Sequence, residues 1–204
     1  MNVLILTNRE HIHFVAKEVE YFSYQHTFAF RYTGEYDWSE DYDIGISFMY
    51  QHKVPAEEVN SHTWINFHPG PLPEYKGRNL CYHAIVNGET EFGASIHYMN
   101  EDFDEGDIID VWKFPVYNHD TAGDISHATI VKSKHLFEYY LPRILSGEKF
   151  ERIPNTGGYY YPKKEISDVY VEGSNFYTFV RSVTCGRFVP KIDIGGVIYK
   201  IVKE

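Results

Sequence analysis

The chain has 204 residues, enough for one core of ordinary size and tight for two full domains. Hydrophobic residues make up 43% and charged residues 24%, a globular composition and not a disordered one. The formal net charge of -10 argues against broad nucleic-acid binding, which runs on clustered Lys and Arg that displace counterions from phosphates. No segment approaches the roughly 20 apolar residues a membrane span needs, so no membrane contact is expected.

Met1 to Thr7 is apolar, but it is short and lacks a basic lead, so it reads as a first strand and not as a signal peptide. The expectation is a cytoplasmic protein. Strand-length apolar runs at Asn2–Thr7, His26–Tyr32, Ile44–Met49 and Thr63–Phe67 alternate with a helical pattern at His11–Phe22, where Phe14, Val15, Val19 and Phe22 share a face. A second helix starts at Pro55. This order predicts a mostly parallel sheet of Rossmann character. Beyond it, Leu80–Val86 reads as a short helix and Gly93–Met99 and Asp107–Val116 as strands. Thr121 with Asp124 resembles a capping box that opens a long helix toward Leu145, and Pro142 is expected to kink its end.

The tail carries Gly157-Gly158, the Tyr159-Tyr160-Tyr161 cluster, a helix near Phe176–Val183 and a last strand near Val197–Val202. The predicted organisation is an α/β main domain over 1–150 and a small α+β appendage over 151–204. Cys81 and Cys185 are too few for a disulfide framework and lack zinc-ligand spacing, so they read as buried thiols with no metal site. The 18 tyrosines suit ring-containing ligands, although plain core and surface roles account equally for most of them.

Two stretches carry chemistry. "NFHPGPLPEYKG", residues 66–77, sets Asn66 and His68 two apart at the end of a predicted strand, so both side chains face the same way, and follows them with a proline-stiffened loop. Ligands of an open parallel sheet sit beyond such strand ends. On these residues alone the pattern serves either turn geometry or catalysis. "NEDFDEGD", residues 100–107, is either a solvated acidic loop or the source of a carboxylate that orients or stabilises an imidazole; its glycine comes too early for a calcium loop.

Together these stretches resemble the N10-formyltetrahydrofolate-dependent formyltransferases. The match runs through "SFMYQHKVP" (Ser47 to Pro55), "NFHPGPLPEYKGR" (Asn66 to Arg78), "NGETEFGASIHYMNEDFDEGDII" (Asn87 to Ile109) and "LPRILSGE" (Leu141 to Glu148). The resemblance implies a Rossmann-like formyltransferase fold and a catalytic trio of Asn66, His68 and Asp104. His68 would act as base or as a charged donor to the developing oxyanion, Asn66 as an amide donor to the same oxygen, and Asp104 as the holder of the imidazole or of a relay water. The division of labour between His68 and Asp104 stays open at this point.

The resemblance further implies a pterin slot lined by backbone along Phe48, Met49, Tyr50, His52, Lys53 and Val54 and by Asn100, Glu101, Asp102 and Phe103, with Arg78 nearby. His52 reads either as a pocket residue or as an ordinary hydrogen-bonded imidazole, and His97, inside a strand, as structural in the first place and as a site contact in the second. Tyr75, Lys76 and Arg78 are the expected contacts to the acceptor. The segment before Asn66 is shorter than in most such proteins, which implies a missing helix or strand in the first half.

The loop after the first strand, Thr7-Asn8-Arg9-Glu10-His11, has no glycine to cradle a phosphate, which disfavours glycinamide ribonucleotide as acceptor. The acidic charge disfavours tRNA. "ISFMYQHKVP" is most similar to the amino-sugar branch, so the expected reaction moves a formyl group to a primary amine of a nucleotide-linked aminodeoxysugar, dTDP- or UDP-bound. The alternatives are a formyltetrahydrofolate hydrolase and a non-catalytic folate-binding relative. A homodimer is the expected assembly.

Overall fold

The computed structural model describes residues 1–32, 38, 41–163, 176–186, 190–194 and 196–201. Val3 and Ile5 face one side of strand β1 (Asn2–Leu6) and Leu4 and Leu6 the other, and all four are buried. A strand apolar on both faces needs cover on both, as in α/β sheets. Val15 and Val19 of α1 (Ile12–Glu20) supply part of the cover on one side. β2 (Thr27–Arg31) and β3 (Ile44–Phe48) flank β1 in parallel, and β4 (Thr63–His68) follows β3 in parallel after the short helix α2 (Ala56–Ser61). Where an element was expected to be missing, residues 32–43 join β2 to β3, and part of that link lies outside the described residues.

β6 (Glu91–Tyr98) lies antiparallel to β4, and β7 (Ile108–Pro115) antiparallel to β6, giving the order β2-β1-β3-β4-β6-β7. Only β6 therefore runs against the rest, and the sheet is mostly parallel as the sequence predicts. The C-terminal ends of β1, β3 and β4 share one edge, with the switch in strand order between β1 and β3, which is where an open α/β sheet leaves a crevice.

α4 (Ala122–Leu145) starts on the predicted capping box: the Thr121 hydroxyl accepts from the Asp124 amide, and the Asp124 carboxylate accepts from the Thr121 amide. Its buried Leu136, Phe137, Leu141 and Ile144 complete the cluster that holds Val3, Ile5, Phe48 and Phe67. The helix continues through Pro142 to Leu145. On the other face Trp64, Leu4, Leu6 and Val59 pack together. Among the described residues no helix is long and apolar enough to cross a membrane.

α3 (Leu80–Val86) covers a smaller core with Phe92 and Ile125, and α5 (Phe176–Val183) packs against α3. The tyrosine cluster forms β8 (Tyr159–Tyr161), which pairs in parallel with β5 (Tyr75–Gly77), a pairing the sequence did not reveal. β9 (Lys191–Ile194) and β10 (Val197–Lys200) make a hairpin; Val202 of the expected last strand lies outside the described residues.

Candidate active site

Asn66 and His68 project from the end of β4 on one face, while Phe67 between them is fully buried in the main core. The proline loop then turns back under His68. Ser95 of β6 holds that turn: its buried hydroxyl donates to Gly70 O at 2.7 Å and accepts from Leu72 N at 2.9 Å. Tyr75 O is thereby brought to 2.8 Å from His68 Nε2. The other His68 nitrogen, Nδ1, lies 3.2 Å from Asp104 Oδ1.

Asp104 sits in the loop after β6 at φ 58°, in the left-handed region. Its Oδ2 accepts from Gly77 N at 2.9 Å, so β5 braces His68 and Asp104 together. The Asp-x-Gly spacing has a steric reason: a Cβ on Gly106 would stand 1.9 Å from Tyr98 O. His97, read from sequence as structural, is part of the constellation. It pairs across the ladder with Asn66, and its Nε2 lies 3.0 Å from Asn66 Nδ2 and 3.9 Å from Asp104 Oδ1.

Protonation follows from these partners. A carbonyl and a carboxylate only accept, so His68, facing one of each, donates from both nitrogens and is an imidazolium. Burial opposes that charge, but the Asp104 carboxylate and the Tyr75 carbonyl outweigh it, and the His68 pKa is raised. Burial likewise opposes the Asp104 charge, and the two imidazoles with the Gly77 amide hold its carboxyl well below the usual range. His97 is the opposite case. Its Nδ1 donates to Tyr98 O at 2.7 Å, its Nε2 accepts from Asn66, and burial pushes its pKa down to about 4. His97 thus takes one Asn66 amide proton, and the second remains for the cleft.

Two hollows meet here. A slot beside the sheet edge is lined by Tyr50, His52, Lys53, Val54, Asn100, Glu101, Asp102 and Phe103. A larger cleft of about 490 Å³ is lined by Asn8, Glu10, His11, Met49, Arg78, Tyr160 and Lys163, among others. Tyr50, Asn66, Phe103 and Asp104 border both. Cys81 and Cys185 are unbridged on the wall of the larger cleft, and burial pushes the Cys81 thiol up to about 12.

Tyr75 and Lys76 need correction as contacts, and Met49 lines the larger cleft instead of the slot; Phe48 was expected to offer backbone only. Phe48 is fully buried against Phe14, Phe67 and Phe137, so only its backbone could reach a ligand. The Tyr75 side chain is buried in the smaller core with its hydroxyl on Glu89. Lys76 is 3% exposed and pairs with Glu105 and Gly157 O. Tyr75 and Lys76 line neither hollow, because a three-residue strand paired with β8 turns both inward. Arg78 does line the larger cleft, and it donates to Gln51 O.

Residues 43–139 match the family model for formyl transferase. This stretch is a formyl transferase domain. The chain is 28% identical over 167 residues, 79% of its length, to the GDP-perosamine N-formyltransferase of Brucella melitensis, and spans 64% of that relative. A 4-N formyltransferase structure from Francisella tularensis superposes with a TM-score of 0.83 at 21% identity, over 100% of this chain and 97% of that one. An N-formyltransferase from Helicobacter canadensis, solved with folinic acid and dTDP-3-aminofucose, gives a TM-score of 0.74 at 18% identity, over 95% of this chain and 84% of that one. Identities this low establish the formyltransferase fold. The formyl transferase domain ends within α4, so Asn155 and β8, which touch the acidic loop and β5, lie outside the matched stretch.

Proposed function

We propose that the protein is an N-formyltransferase that moves a formyl group from N10-formyltetrahydrofolate to the primary amine of a nucleotide-linked aminodeoxysugar. The observation that carries this reading is that the slot and the larger cleft share Asn66 and Asp104, so a donor in one meets an acceptor in the other at the trio. The lining of the slot suits a folate ring: Asn100, Glu101 and Asp102 offer acceptors to ring amino groups, and Tyr50 and Phe103 offer stacking faces. The folate supplies an activated formyl group. The names of the Brucella and Helicobacter relatives support an amino-sugar acceptor.

In the reaction, the second Asn66 amide N–H and the charge of His68 stabilise negative charge on the formyl oxygen. The imidazolium has no lone pair, so His68 is not the base. The ionised Asp104 accepts the proton leaving the amine, directly or through a water, and passes it on toward the departing folate nitrogen, while His68 keeps its charge. On this reading Asp104 is the proton acceptor and His68 the charged partner.

The acceptor argument rests on the larger cleft. Asn8 Oδ1 accepts from Glu10 N at 3.0 Å and His11 N at 3.1 Å, so the amides of the turn just before α1 are taken by its own chain where a phosphate would otherwise dock. Arg78 and Lys163 are the cations lining the cleft wall, and the half-exposed Tyr160 offers a ring for a base. A water acceptor would have no use for such a volume.

The test is tetrahydrofolate release from N10-formyltetrahydrofolate with dTDP-, UDP- and GDP-linked amino sugars, glycinamide ribonucleotide, methionyl-tRNA or no amine. Release dependent on an amino sugar is the expected result. Equal release without amine, or activity confined to glycinamide ribonucleotide, overturns the reading.

A further inference from the structure

After α4 the chain doubles back beneath the site. Ile153 and Ile108 exchange backbone hydrogen bonds at 2.8 and 2.9 Å, Gly157 O accepts from Lys76 Nζ at 2.9 Å, and β8 joins β5. The approach is close: a Cβ on Gly158, at φ 75°, would stand 1.7 Å from Pro73 O. Residues 153–161 therefore strap together the proline loop, β5 and the acidic loop.

Asn155 is the polar centre of the strap. It is 7% exposed, and its Nδ2 donates to Asp104 O at 2.8 Å and to Gly106 O at 2.9 Å. Two carbonyls can be met only by an NH2 group, which fixes the orientation of the amide. Its Oδ1 is buried with no partner among the described residues, so the amide is placed for its donors at the cost of its acceptor. The Asp104 backbone it grips lies in the left-handed region, which a residue with a side chain keeps only when its surroundings hold it there.

We propose that Asn155 is a positioning residue, which by clamping the carbonyls of Asp104 and Gly106 holds the Asp104 carboxylate against His68. The catalytic consequence rests on the formyl-transfer reading, whereas the geometric one does not. The titratable groups facing His68 are Asp104 from the acidic loop and His97 from β6, with ring centroids 6.2 Å apart, and Lys76 of β5 acts on His97.

The experiment is an NMR titration of His68 in histidine-labelled protein, wild type against Asn155→Leu, which keeps the volume, removes both donors and adds no charge. The clamp predicts that a folded Asn155→Leu, checked by circular dichroism, lowers the His68 pKa by roughly one unit, because its carboxylate partner drifts away. With an acceptor identified, kcat should fall about tenfold while the acceptor KM changes less. Asn155→Ser, which keeps one donor, should fall between the two and carries the test if the Leu variant does not fold. A folded variant whose His68 titrates as in wild type overturns the proposal. If no acceptor supports turnover, the formyl-transfer reading fails while the titration still decides the clamp.

Discussion

A histidine with acceptors on both nitrogens is charged at rest, and this sets the pH behaviour of the site. His68 has its pKa raised above 6.5, so its charge is complete below that value and disappears as pH rises through the raised one. At saturating acceptor, kcat should decline over the same rise, and in Asp104→Asn the His68 imidazole, followed by NMR, should titrate at lower pH by roughly one unit or more. An unmoved titration would show that His68 does not draw its charge from Asp104. His97 carries the reverse sign. The unfolded chain binds its proton near 6.5 and the folded chain only near 4, so stability present above 6.5 is lost as pH falls toward 4. His97→Gln, which cannot titrate, should flatten the dependence of Tm on pH within that window, and a slope equal to wild type would contradict the assignment. Asn66, His68 and Asp104 were legible because residue type and motif spacing survive in one dimension. His97 was not, because its role depends on the register that sets it opposite Asn66.

Among the elements, β6 matters through one hydroxyl. Ser95 is fully buried and satisfies both Gly70 O and Leu72 N, so Ser95→Ala leaves two buried backbone groups unpaired. Urea unfolding should show a loss of about 1–3 kcal/mol, and kcat should drop with it because Tyr75 O loosens from His68. Wild-type stability in that variant would mean the turn holds itself. Strands and helices with a clear period were readable, including the capping box of α4. α4 runs on through Pro142, because within the last turn a missing N–H removes only the bond to Glu138 before the helix stops. The β5–β8 pair was invisible, since three-residue strands have no period and join positions more than 80 residues apart. Hence the inward turn of Tyr75 and Lys76 was missed too.

For the whole molecule, the parallel half brings the ends of β1, β3 and β4 to one edge, and the acidic loop after the reversed β6 sets Asp104 against His68. The slot and the larger cleft then share a border at Asn66 and Asp104. The sequence foretold the edge, because strand order and motif order agree. It did not foretell the strap from beyond the matched domain, whose contacts are carried by an amide, two glycines and main chain. The central claim is that chemistry occurs at this border and donor binding beside it. It is tested most directly by rapid-quench formyl transfer at saturating N10-formyltetrahydrofolate and amino sugar, with donor affinity measured in parallel. His68→Ala should slow the transfer step by roughly 10²- to 10⁴-fold and Asn66→Ala by about 10²- to 10³-fold, with donor affinity little changed in either. Transfer at near-wild-type rates in both variants would contradict the account.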